Sequence, residues 1–192
     1  MYSNVDGFTY KEDEIPLENR PELDRWILSE LHTLIQNVDK FYADYEPTRA
    51  ARAISDFTQE YLSNWYVRLS RRRFWKGDYQ TDKISAYQTL YTCMITIAKL
   101  GAPIAPFFMD KLYQDLNSVT KKESSESVHL ADFPIFDAAF VAYCNSEVNS
   151  QITASRIIDK NLFGYFSDNE VPLANACCGG TKLIDVCVAN VN

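Results

Sequence analysis

The chain has 192 residues, 46% of them hydrophobic and 14% aromatic, which suits one domain, or a domain and a half, with a real core and excludes disorder. A net charge of −7 argues against nucleic-acid binding by the whole surface, yet it leaves room for a local basic stripe, because charges are screened over about 8 Å. There is no run of roughly 18 apolar residues to span a membrane, and "MYSNVDGFTYKEDE" has neither the basic nor the apolar part of a signal peptide, so the expected compartment is the cytoplasm.

Residues 1–20 are polar and acidic, with breaks at Pro16 and Pro21. The following segment places Leu23, Trp26, Ile27, Leu31, Leu34, Ile35, Val38, Phe41 and Tyr42 at the 3-and-4 spacing of an amphipathic helix. Pro21 suits its first turn, and Pro47 lies beyond its end and initiates the next helix. That second helix carries Ala50, Ile54, Phe57, Tyr61, Leu62, Trp65 and Leu69 on its apolar edge. It is expected to close at "KGDYQTD", where Gly77 suits a C-cap and Asp78 the next N-cap. A third helix covers "KISAYQTLYTCMITIAKLGAP" and a shorter fourth covers "IAPFFMDKLYQDLN". "SVTKKESSES" reads as a polar loop and "VHLADFPIF" as an extended strap. The expected fold class is therefore all-α, an antiparallel helix bundle over residues 21–136.

After Asp137 the character changes. "DAAFVAYCNSEVNSQITASRIIDK" can be helical, whereas the last 32 residues show no clear period and contain a Gly-Gly pair, so residues 137–192 read as an extension of undefined structure. Four of the five cysteines, Cys144, Cys177, Cys178 and Cys187, fall there, and Cys93 stands apart. None has the C-x-x-C spacing of a zinc or redox site, so no metal is expected and the thiols read as reduced and buried.

"NWYVRLSRRRFW" stands out in this acidic chain, because Arg68, Arg71, Arg72, Arg73 and Lys76 crowd into nine residues among large aromatics. On an ideal helix Asn64, Arg68, Arg71 and Trp75 share a stripe about 60° wide. Arg72 and Arg73 flank its end, and Trp65 points with Leu69 toward the apolar edge as a core residue. Guanidinium forks grip phosphate, an indole offers a stacking face and an amide reads base edges, which suits single-stranded RNA. Two structural alternatives stand beside this. Arginines in a last turn favour the helix's negative end and pair with neighbouring acids, or the stripe docks an acidic protein partner. No catalytic residues are predicted: His32 and His129 are isolated, and no phosphate loop or nucleophile elbow is present.

Taken together, "YSNVDGF", "RPELDRWILSELHTLI", "LSNWYVRLSRRRFW", "APIAPFFMDKLYQDLN" and "SVHLADFP" resemble the C-terminal part of the isoleucyl-tRNA synthetases, and the motif from Asn64 to Trp75 is most similar to their eukaryote-like branch. The resemblance covers about residues 2–136. It implies a bundle of the class Ia anticodon-binding type, with residues 1–20 leading in from a catalytic domain. Asn64, Arg68, Arg71, Arg72, Arg73, Trp75 and Lys76 would then face RNA. The implied partners are isoleucine tRNA and the catalytic and editing domains of the same enzyme. The His-Ile-Gly-His and Lys-Met-Ser-Lys-Ser signatures are absent, so ATP and magnesium are implied for the parent's catalytic domain and no cofactor for this fragment. Residues 141–192 depart from the family's expected long charged helix, which fits an unusual lineage, an artefact or a shifted reading frame.

Overall fold

The computed structural model describes residues 6–76 and 80–151. The chain divides into two compact units, Met1–Phe136 and Asp137–Asn192. In the first, α1 (Glu22–Ala43), α2 (Pro47–Asp56), a π-helical segment (Phe57–Val67), α3 (Arg71–Lys76), α4 (Thr81–Gly101) and α5 (Pro106–Thr120) form a helical bundle. In the second, α6 (Ala138–Gln151) opens on Asp137, whose Oδ1 accepts the N–H groups of Ala139 and Phe140 at 2.9 and 3.1 Å. The expected cap residues Gly77 and Asp78, and Cys177, Cys178 and Cys187, lie outside the described residues.

α1 buries Trp26, Ile27, Leu28, Leu31, Leu34, Ile35 and Val38 along one face, as its period requires, and packs on α2, the π segment and α4. Pro21 stands at the N-cap rather than inside the first turn. Its carbonyl accepts the N–H groups of Asp24 and Arg25 at 3.0 and 3.1 Å. At the other end the Glu46 N–H reaches the Phe41 carbonyl at 2.8 Å and the Tyr45 N–H reaches that of Tyr42 at 3.1 Å. This is a Schellman closure, and it forces Tyr45 to φ +56°, a region glycine occupies without strain.

The predicted second helix is three pieces. The buried positions run Ile54, Phe57, Leu62, Tyr66, Ser70, Phe74, so the inner face keeps the expected Leu62 and beyond it lies one residue later than the expected Trp65 and Leu69. The π segment closes i→i+5 hydrogen bonds and so inserts residues relative to α spacing. Thr58 Oγ1 also donates to the Ile54 carbonyl at 2.7 Å, a side-chain bond that competes with the α ladder where the change begins. Tyr66, fully buried, takes the core position expected of Trp65, which is only half-buried.

α4 is the central helix and is buried on nearly every side. The lead-in strap lies along it: Phe8 packs on Tyr87 and Tyr10 on Tyr91, Lys83 pairs with Asp6 at 2.7 Å, and Gln88 Oε1 accepts the Ile15 N–H at 3.0 Å. α4 begins after Gln80, which offers no side-chain cap. α5 folds back tightly at Gly101, where a Cβ would lie 2.7 Å from the Met109 Cε. Beyond α5, a 3-10 turn at Val128–Leu130 is held by Asp110 Oδ1, which accepts the Ser127 hydroxyl at 2.7 Å and the Val128 N–H at 2.9 Å. This turn takes up the first three residues of the expected extended strap, Val128–Leu130.

Two expected outcomes follow from the backbone and from α1. Tyr45 is 92% exposed, so Tyr45→Gly loses little packing, relieves the left-handed strain and stabilises the chain by about 0.5–1 kcal/mol in urea melts. Burial raises the Glu30 carboxyl to about 7, above its unfolded value. The fold therefore loses stability as pH rises from about 4.5 to 7 and stays lower beyond. Glu30→Gln should match the parent at pH 4 and exceed it by about 2 kcal/mol at pH 8, allowing for partial exposure.

Candidate nucleic-acid interface

Asp24 is fully buried at the first turn of α1, and three other elements converge on its carboxylate. Tyr66 of the π segment donates its hydroxyl to Oδ1 at 2.9 Å. Arg73 of α3 brings a two-pronged fork, Nη1 to Oδ1 at 2.6 Å and Nη2 to Oδ2 at 2.9 Å. Ser85 of α4 donates its hydroxyl to Oδ2. Burial and the charge of Asp24 push the Tyr66 phenol well above its usual range, so it stays a donor. Burial opposes the charge on Arg73, but the hydrogen bonds and charge of Asp24 outweigh it and hold the guanidinium protonated.

Arg73 therefore cannot serve as an RNA contact. Its side chain is 16% exposed. Nε donates to Asp82 Oδ2 at 3.1 Å and Nη2 to the Asp82 carbonyl at 2.9 Å. For this one arginine the structural alternative, pairing with acids on neighbouring helices, is the correct one.

The other residues of the cluster turn outward. Asn64, Arg68, Arg71, Arg72 and Trp75 are exposed, Trp75 by 62%. Asn64 donates to Glu60 Oε2 at 3.2 Å, so the face includes one acid. Lys76 ends α3; its side chain lies outside what is described. The outward set survives the phase shift because the exposed positions pass through the same π segment and turn as the buried ones. Below it, Phe74 is buried and packs on the Tyr87 ring at 5.2 Å. The arrangement offers forks for phosphate and an indole face for a base, and no group poised for covalent chemistry.

Sequence reasoning missed Asp24, Tyr66, Asp82 and Ser85. Asp24 had a legible signal: it sits three residues before Ile27 and seven before Leu31, in register with the buried stripe. An acid at a core register needs a buried partner.

Residues 24–162 match the family model of the anticodon-binding domain of tRNA ligase. The chain belongs to that family. Over 141 residues, 73% of this chain, it is 64% identical to the isoleucine–tRNA ligase of Cytophaga hutchinsonii and 60% identical to that of Bacteroides fragilis, spanning 13% and 12% of those proteins. It is 46% identical to the isoleucine–tRNA ligase of Thermus thermophilus over 138 residues, 72% of this chain and 13% of that protein. The chain thus spans about an eighth of the relatives it matches. These relatives are bacterial and lend the eukaryote-like affiliation no support. Among the described residues no helix is long and apolar enough to cross a membrane.

The exchange of Trp65 for Tyr66 in the core has a measurable consequence. Tyr66→Ala should cost about 3–5 kcal/mol in urea melts. Trp65→Ala should cost less than half as much, and equal losses would contradict the π-helical phase.

Proposed function

We propose that this anticodon-binding domain belongs to an isoleucine–tRNA ligase and that Asn64, Arg68, Arg71, Arg72 and Trp75 meet the anticodon stem-loop of isoleucine tRNA. The observation that carries the reading is that three arginines and an indole, all within residues 68–75, are exposed in a chain whose net charge is −7. In the family domain, exposed cations clustered this closely suit a phosphate backbone, and Trp75 suits an unpaired base. Arginine contacts to phosphate position the RNA, while Asn64 and Trp75 are the groups able to touch bases. Charging of the tRNA with isoleucine, using ATP and magnesium, would fall to a catalytic domain of the parent enzyme in the cytoplasm. This chain would contribute grip and placement.

A second reading, domain or protein docking, draws on a different surface. An apolar groove of about 830 Å³ lies between the π segment and α4–α5, lined by Leu62, Val67, Met94, Ile97 and Phe108. The groove is not lined by Arg68, Arg71 or Trp75, so the two readings concern separable faces.

The test is fluorescence anisotropy of labelled isoleucine tRNA at several salt concentrations. Arg68→Ala and Arg71→Ala should each lower the salt slope by about one. Trp75→Ala should cost about 1–3 kcal/mol with little salt dependence. If both arginine variants bind like the parent, the arginines do not face RNA and the reading fails.

A further inference from the structure

We infer that Asp24, which touches no RNA, is a positioning residue for RNA binding: it holds Arg73 and thereby fixes the direction in which Arg71, Arg72 and Trp75 leave α3. The inference rests on the RNA reading above. α3 spans only Arg71–Lys76, far shorter than the roughly 12–15 residues at which an isolated helix becomes even marginal. It is reached through a turn at Ser70, where the Arg73 and Phe74 N–H groups bond the Ser70 carbonyl at 2.9 and 3.2 Å. Its orientation must come from side chains that reach the core, and among the described side chains of α3 those are Phe74 and Arg73.

The two anchors act differently. Phe74 is apolar, and its packing resists withdrawal more than rotation. Arg73 presents a planar fork whose prongs meet both oxygens of Asp24, and its Nε and Nη2 meet Asp82 on the far side. Two parallel hydrogen bonds to a rigid carboxylate set an angle as well as a distance. Asp24 is itself fixed by Tyr66 and Ser85. A slip of α3 by one residue would rotate its face by about 100°, carrying Arg71, Arg72 and Trp75 away from the outward directions they take in this structure. One cation of the cluster is thus held inward, and its neighbours owe their alignment to it.

This makes a prediction opposite to that of net charge. Asp24→Asn removes an acid and weakens the hold on a cation, so a surface that binds by charge alone should bind RNA more tightly. A surface that binds by placement should bind folded tRNA more weakly while its hold on a featureless polyanion stays level or rises. The 192-residue chain and its Asp24→Asn, Arg73→Lys and Asp82→Asn variants are titrated against a transcript of Cytophaga hutchinsonii isoleucine tRNA and against heparin. Urea melts establish the folded fraction of each.

Arg73→Lys keeps the charge but loses the fork, and Asp82 is 59% exposed, so its variant folds even where Asp24→Asn does not. Asp24→Asn and Arg73→Lys should bind the tRNA about tenfold more weakly, and Asp82→Asn about threefold, with heparin affinity maintained. Folded Arg73→Lys and Asp82→Asn proteins that bind tRNA like the parent, while Arg68→Ala binds weakly, would overturn the positioning role alone. If Arg68→Ala also binds like the parent, the RNA reading falls and this inference falls with it.

Discussion

A buried carboxylate needs partners, and in this bundle that need ties four segments together. Removing the Asp24 charge from water costs several kcal/mol, which only close hydrogen bonds and an opposite charge offset. Tyr66, Arg73 and Ser85 supply them from the π segment, α3 and α4. Each of these segments must arrive in one register for its donor to reach, so the interaction specifies arrangement more than it adds net stability. Apolar packing of α1 on α2 and α4 would tolerate small rotations. A fork meeting a carboxylate would not.

The same constraint divides the basic cluster. Arg73 and Arg72 are adjacent in sequence, yet one is pinned in the core and the other is exposed. Placing an arginine inward makes the short α3 a fixed shelf on which its neighbours can present charge to a ligand. The acidic balance of the chain then works with the stripe, since the rest of the surface does not compete for a polyanion.

The long helices could be read from the chain because α1 follows an apolar period, α4 carries apolar residues on several of its faces, and prolines mark the starts of α2 and α5. The split of the second helix was not legible. A π segment changes the hydrogen-bond register without any proline or glycine to mark it, so extrapolating 100° per residue from Ile54 puts Trp65 where Tyr66 belongs. Asn64, Arg68, Arg71, Arg72 and Trp75 are exposed despite the changed register, because a one-residue offset still leaves these positions outside the buried series. Arg73 was misplaced for a different reason. Its partner lies 49 residues away, and a long-range ion pair leaves no mark in local periodicity.

The claim that Asp24 and Arg73 organise the bundle through their mutual contact is tested most directly by a double-mutant cycle. Unfolding free energies of the parent, Asp24→Asn, Arg73→Gln and the double variant, from urea melts at pH 7, give the coupling energy between the two side chains. A bidentate, largely buried pair predicts a coupling of about 2–3 kcal/mol, with the double variant more stable than additivity of the single losses allows. A coupling below about 0.5 kcal/mol would mean that the two side chains act independently, and would contradict the account.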